Sequence, residues 1–209
     1  MKIQLFLMSA DEKLFDEGLR FLPESRRNAV SRRKQPQARA ESLFGELIVR
    51  REICRRFDRE AALSDFRIGE YGKPYFSGNG SFGFSVSHSS GTVLAAVSDG
   101  NVGADIERCD RRSDRLMTKC CTPDEREYLE KSSDKSREFM RLWTRKEALS
   151  KLDGRGIAMG FGSVSVLSDE RIFTAERDGF FLSAAADTIP ECEIIVCTAE
   201  EILNFWREQ

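Results

Sequence analysis

The sequence has a single histidine, no CxxC pair and no G-x-S-x-G element, and each absence removes a class of chemistry. One imidazole without paired thiols cannot build a zinc finger. Without the nucleophile-elbow signature, a Ser–His hydrolase loses its usual frame. Six cysteines are present, at 54, 109, 120, 121, 192 and 197. The adjacent pair rarely bridges itself, and without an export signal all six are expected reduced and structural. An excess of one charge is also missing, because 33 basic and 35 acidic residues leave a net charge of −2. That argues against non-specific nucleic-acid affinity, which needs a strongly basic face. No apolar run approaches the roughly 20 residues that cross a bilayer. Met1-Lys2-Ile3-Gln4-Leu5 alternates like a strand and is followed by Asp11 and Glu12, which is unlike a signal peptide. The expectation is a cytoplasmic protein that meets neither membrane nor nucleic acid.

What is present suits a globule. The 209 residues are 40% hydrophobic and 33% charged, enough for one mid-sized domain or two small ones. Ile3 to Met8 reads as a strand, and Pro23-Glu24-Ser25 opens a short arginine-rich helix. Between Gln37 and Phe57, Leu43, Leu47, Ile48, Ile53 and Phe57 recur at helical spacing, with arginines on the other faces. Phe66-Arg67-Ile68 reads as a strand, and Ser77-Gly78-Asn79-Gly80 as a loop. Two apolar runs, Phe82 to Val86 and Val93 to Val97, flank His88-Ser89-Ser90-Gly91, and Ser98 to Asn101 turns into a strand over Val102 to Ile106. Thr122-Pro123-Asp124-Glu125 is a capping box. Arg137 to Leu152 is helical by period and stops at Gly154-Arg155-Gly156. Val164-Ser165-Val166, Phe173, Phe180 to Leu182 and Ile194 to Val196 supply strands, and Glu200 to Trp206 a closing helix. No Gly/Ser- or Pro-rich linker divides the chain. Both halves run helices then strands, which predicts a duplicated α+β unit with a boundary near Gly100: residues 1–100 and 101–209.

Three segments can carry chemistry. In Asp105-Ile106-Glu107 a strand would aim both carboxylates to one face and turn Ile106 into the core; a solvated strand end has the same pattern. Trp143, Glu147 and Lys151 share one helix face, as an aromatic anchor beside an ion pair would. Three carboxylates without thiolate or imidazole suit a hard ion such as Mg²⁺. Phe84-Ser85-Val86-Ser87-His88-Ser89-Ser90-Gly91 puts hydroxyls, amides and the imidazole in a turn at the end of an apolar strand, which suits a phosphate or a capped turn.

In order, Gly72-Lys73-Pro74, Ser87-His88-Ser89, Gly103-Ala104-Asp105-Ile106-Glu107 and Trp143-x-x-Lys146-Glu147-Ala148-x-x-Lys151 with Gly154-x-Gly156 resemble the two-domain 4′-phosphopantetheinyl transferases of the surfactin type. The resemblance spans residues 72–156 and is specific as an ordered set. It implies an α+β fold of two pseudo-duplicated subdomains, the second carrying the metal site, with the active site in the cleft between them. It implies transfer of the 4′-phosphopantetheine arm of coenzyme A to a serine of an apo acyl or peptidyl carrier protein, releasing adenosine 3′,5′-bisphosphate. By position, Asp105, Glu107 and Glu147 would hold Mg²⁺, Lys151 the transferred phosphate and His88 the 3′-phosphate. Lys73-Pro74 would border the adenine, and Ser87, Ser89 and Lys146 join the coenzyme-binding set. Arg26 and Arg39 would supply contacts from the first helices, and Glu125 stands where the family has a glutamate near the metal. The departures are Ser85 for a common asparagine, Ala104 for a branched residue, and Glu41 where a base is often found.

The chemistry follows from charge. The carrier serine loses a proton as it attacks a phosphorus ringed by negative oxygens, so Lys151 and the metal neutralise charge there. Glu107, directly or through a water, is the expected general base, with Glu147 and Lys151 beside it. A monomer is expected, since a duplicated chain completes its own site. The rival readings are a Mg²⁺-dependent nuclease or phosphohydrolase, which Asp105-x-Glu107 would also satisfy, and a non-catalytic module using the basic helix faces.

Overall fold

Leu5-Phe6-Leu7-Met8 is apolar on both faces, the mark of a strand covered from both sides, and the computed structural model places it so. The structure describes residues 1–78, 80–110 and 114–209; Asn79 of the expected loop lies outside them. Strand β1 (Lys2–Ser9) lies between two others in a four-stranded sheet. The chain then runs through α1 (Phe15–Leu19), α2 (Glu24–Ser31), α3 (Pro36–Arg56) and α4 (Arg59–Leu63). The short pair β2 (Arg67–Ile68) and β3 (Pro74–Tyr75) follows, then the hairpin β4 (Gly83–Ser89) and β5 (Thr92–Ser98). Beyond β6 (Val102–Arg108) come α5 (Asp114–Cys120), α6 (Pro123–Lys131) and α7 (Lys135–Asp153). The chain closes with β7 (Ile172–Arg177), β8 (Phe180–Ala186), β9 (Glu191–Val196) and α8 (Ala199–Arg207).

The fold is α+β. One sheet has the order β4-β5-β1-β9 and a second has β6-β8-β7. Their inner faces share one core, in which Ile3, Leu5, Leu7, Leu94 and Ala96 meet Val102, Ala104, Ile106, Leu182 and Ala184. The outer face of the first sheet packs on α3 and that of the second on α7. Strand β9 pairs parallel to β1, with Leu5 opposite Ile194, so the last strand of the chain joins the first sheet. Among the described residues no helix is long and apolar enough to cross a membrane.

Two close approaches set the helices on their sheets. A Cβ on Gly103 would lie 2.0 Å from the Ala148 carbonyl oxygen, and one on Gly45 would lie 2.6 Å from Val86 Cγ1. Only glycine lets α7 lie that close on β6, and α3 on β4. Helix α6 begins with the expected capping box at Thr122, and α7 ends at Gly154 in the left-handed region, φ 89°.

Two expectations fail. The α3 arginines do not all face water: Arg50 and Arg51 are buried, as are Glu41 and Glu46. Apolar periodicity marks the face on the sheet but cannot show that α2 and α4 cover the opposite one. Glu46 accepts from Arg50 and Arg26, and Arg50 also donates to Ser64 O while lying 4.4 Å above the Phe66 ring. The segment 164–166 is not a strand. Its backbone groups are met by side chains instead, with Glu125 accepting from Val166 N and Arg145 donating to Val166 O.

Candidate active site

The alternation Phe84-Ser85-Val86-Ser87-His88-Ser89 decides the site. Successive strand side chains point to opposite faces, so the three serines share one face and His88 joins Phe84 and Val86 on the other. Strand β4 runs beside β6, and the serines meet it in order. Ser85 Oγ accepts from Ala104 N at 2.9 Å, Ser87 Oγ donates to Asp105 Oδ1 at 2.7 Å, and Ser89 Oγ donates to Glu107 Oε2 at 3.0 Å. Ser87-His88-Ser89, contiguous in sequence, is thus split between two places. Ile106 is turned into the core, as expected.

Asp105 is buried. Burial pushes its carboxyl up, against the pull of Lys151 and the Ser87 hydrogen bond. Lys151 Nζ reaches it from α7 at 2.8 Å, so this ammonium crosses between elements. The other oxygen, Oδ2, is buried with no hydrogen-bond partner. Glu147 lies one turn before Lys151 on α7, and Trp143, another turn back, packs edge-on to Phe161. Among the described residues no group of three or more His, Cys, Asp or Glu side chains is close enough to hold a metal ion. Asp105, Glu107 and Glu147 therefore do not stand as a ready-made cage. The donors still fit Mg²⁺: all are hard oxygens, Oδ2 of Asp105 lacks a partner, and this ion commonly uses one or two carboxylates with waters and phosphate oxygens.

Two neighbouring cavities open beside this cluster. One, of about 290 Å³, lies between Lys73, Pro74, Phe84 and Ser85 on one side and Ser150, Lys151 and Gly154 on the other. The second, of about 300 Å³, shares Pro74, Phe84 and Val86 with the first and is bounded by Arg26, Arg33, Ser42 and His88. Arg26 is held at its rim by Glu46, which keeps the guanidinium charged. His88 gives its Nδ1 to Glu41 Oε2 at 2.9 Å.

Other expected contributors have different surroundings. Lys146 is buried, and its ammonium meets Glu125 Oε2 at 2.8 Å and the carbonyl oxygens of Phe161 and Val164. Glu125 is wholly buried, accepting also from Thr122 N and Val166 N. This pair holds α6 to α7 and faces neither cavity. Arg39 lies over the Phe15 ring at 5.5 Å. Lys73 borders the first cavity, but its Nζ donates to Asn101 Oδ1 at 2.6 Å, Val102 O at 3.0 Å and Leu152 O at 3.4 Å. Burial pulls that ammonium down to about 8. Sequence reasoning missed Arg33 and Ser42 as lining residues and Glu41 as the partner of His88. Two-residue alternation in β4 was the available signal, since it turns His88 toward α3.

A carboxylate–lysine cluster lies beside a pocket edged by arginines and an imidazole, groups whose chemistry suits polyanionic phosphate esters. Residues 101–192 match the family model of the 4′-phosphopantetheinyl transferase superfamily. A 4′-phosphopantetheinyl transferase of Bacillus subtilis is 30% identical over 166 residues, 76% of this chain and 73% of the relative. The transferase psf-1 of Bacillus pumilus is 30% identical over 197 residues, 91% and 78% of the two chains. Sfp of Bacillus subtilis strain 168 is 28% identical over 148 residues, 70% and 66%. The chain belongs to the surfactin-type 4′-phosphopantetheinyl transferase family and is an enzyme of that class.

Proposed function

We propose that this enzyme moves the 4′-phosphopantetheine arm of coenzyme A to a serine of an apo acyl or peptidyl carrier protein and releases adenosine 3′,5′-bisphosphate. The observation that carries the reading is the Ser87–Asp105–Lys151 cluster beside two adjoining cavities, one of them basic. Asp105, Glu107 and Glu147 are the residues that would hold Mg²⁺. When bound, the ion supplies positive charge to the pyrophosphate. His88, Arg26 and Arg33 would take the 3′-phosphate, and Pro74 with the stem of Lys73 would border the adenine. The functional unit is a single cytoplasmic chain of two related α+β lobes, residues 1–100 and 101–209, with β9 joining the first sheet and α8 packing in the core beside α3.

The serine oxygen forms a bond to the phosphorus that carries the pantetheine arm, and the bond from that phosphorus to the bridging oxygen breaks. Glu107, oriented by Ser89, takes the serine proton. The bridging oxygen leaves with the adenosine 3′,5′-bisphosphate, carrying the electron pair. Lys151 can release Asp105 and donate to a non-bridging oxygen as charge gathers there. Lys146 and Glu125 act at a distance by fixing α7.

The test incubates the protein with coenzyme A, Mg²⁺ and an apo carrier and weighs the carrier. The expected result is a gain of one phosphopantetheine arm, lost with EDTA and restored by Mg²⁺. An unmodified carrier, with coenzyme A or nucleic acid hydrolysed instead, would overturn the reading.

A further inference from the structure

We infer that Glu41 is a positioning residue that makes His88 donate from both ring nitrogens, and that it thereby sets the preference for a 3′-phosphorylated coenzyme. The inference rests on the proposed contact of His88 with that phosphate. Glu41 is buried on α3, where Gly45, one turn on, lets the helix settle against β4. Its Oε1 accepts from Gly91 N at 2.6 Å and from Gln37 Nε2 at 3.1 Å, while Oε2 takes His88 Nδ1 at 2.9 Å. Gly91 and Ser90 form the β4–β5 turn with positive φ, 85° and 51°. One carboxylate thus ties the helix, the turn and the imidazole together.

An ionised carboxylate only accepts hydrogen bonds, so Nδ1 of His88 must carry a proton. In a neutral ring that would leave Nε2 as a bare acceptor, which repels a phosphate oxygen. Nε2 can donate only in the imidazolium form, and Glu41 supplies the buried counter-charge for that form from the side away from the ligand. A glutamine at this position offers one oxygen for three donors and no charge. The sign of its effect is diagnostic. A carboxylate that merely stood near the phosphate would repel it, and its neutralisation would tighten coenzyme binding. A positioning carboxylate gives the opposite result.

The test compares coenzyme A with dephospho-coenzyme A in the carrier-loading reaction. Glu41→Gln should raise the KM for coenzyme A by about tenfold, the scale of one charge-assisted hydrogen bond. The KM for dephospho-coenzyme A should move less than twofold, with the loss falling on KM more than on kcat. In a His88→Ala background Glu41→Gln should add nothing. Because His88 is the only histidine, ring ¹⁵N spectra report on it without assignment. With adenosine 3′,5′-bisphosphate bound, both nitrogens should be protonated in the parent protein and not both in Glu41→Gln. Tighter coenzyme A binding, equal losses for both substrates, or unchanged ring spectra would overturn the role of Glu41. If His88→Ala itself fails to distinguish the two coenzymes, the phosphate contact of His88 falls instead.

Discussion

Replacing Glu125 with alanine strands the Lys146 ammonium in the core between two carbonyl oxygens and leaves Thr122 N and Val166 N without acceptors. Neither partner reaches water, with side-chain exposures of 0% and 2%. Breaking a buried pair by deleting one member costs about 3–5 kcal/mol, because the survivor is an uncompensated charge. That is a large part of the 5–15 kcal/mol that usually separates folded from unfolded chains. At this chain length each kcal/mol shifts Tm by about 2–4 °C, so Glu125→Ala should melt about 6–20 °C lower. Lys146→Met should cost a similar amount. The combination Glu125→Ala/Lys146→Met should cost clearly less than the two single losses added together, since no charge is left unpaired. Denaturant titration of all variants, read at constant m, gives the cycle directly. Carrier loading well below each melting transition supplies the control, and the folded variants should retain most of their turnover. A Glu125 variant with stability within about 1 kcal/mol of the parent but turnover reduced by more than about 10²-fold would refute the reasoning and place this carboxylate at the reaction centre.

Lys151→Ala should lower kcat by at least about 10²-fold, the scale of one preorganised charge donor, and should also cost stability near pH 7, because the buried Asp105 loses its cationic partner; near-parent kcat in carrier loading would remove Lys151 from the site. Asp105→Asn should abolish turnover yet stabilise the fold. Burial raises the Asp105 carboxyl above the ordinary 3.8, so its contribution is fully present below that value and is lost as pH rises through the raised one. The stability gap between Asp105→Asn and parent should therefore be widest near pH 7 and close below pH 4, and an unchanged gap would contradict it. Lys73 behaves in the opposite sense. Its ammonium is pulled down to about 8, so the unfolded chain holds more protons between about 8 and 10.5 and stability gains a rising component there. Lys73→Met should remove that rise, and urea midpoints across pH 7–11 will show whether it does.

Local rules carried much of the architecture. The Thr122 capping box, Gly154 after the last turn of α7, and the alternation through Asp105-Ile106-Glu107 are set by neighbours a few residues away, so composition and spacing reveal them. The partners of charged side chains are not local. Lys146 finds Glu125 across 21 positions, Lys73 finds Val102 and Leu152 on other elements, and Arg145 meets the backbone of Val166. A lysine beside a proline, or one inside a motif, looks the same whether it faces a ligand or a carbonyl oxygen. The Ser87-His88-Ser89 segment shows the intermediate case. Its residue types are visible as phosphate partners, but only strand alternation separates the serines bound to carboxylates from the histidine held by Glu41.

The position of β1 also has a consequence for synthesis. Its two neighbours are β5 and β9, and the contact of Leu7 with Val196 joins opposite ends of the chain. One edge of β1 stays unpaired until residues 191–196 have left the ribosome, roughly 10–40 s after β1 itself at ordinary elongation rates. During that interval an apolar strand with an open edge is a template for misassociation. Chains cut after Lys151 but before residue 190 would keep that edge permanently, so such a truncation should yield aggregates even though every proposed catalytic side chain is retained.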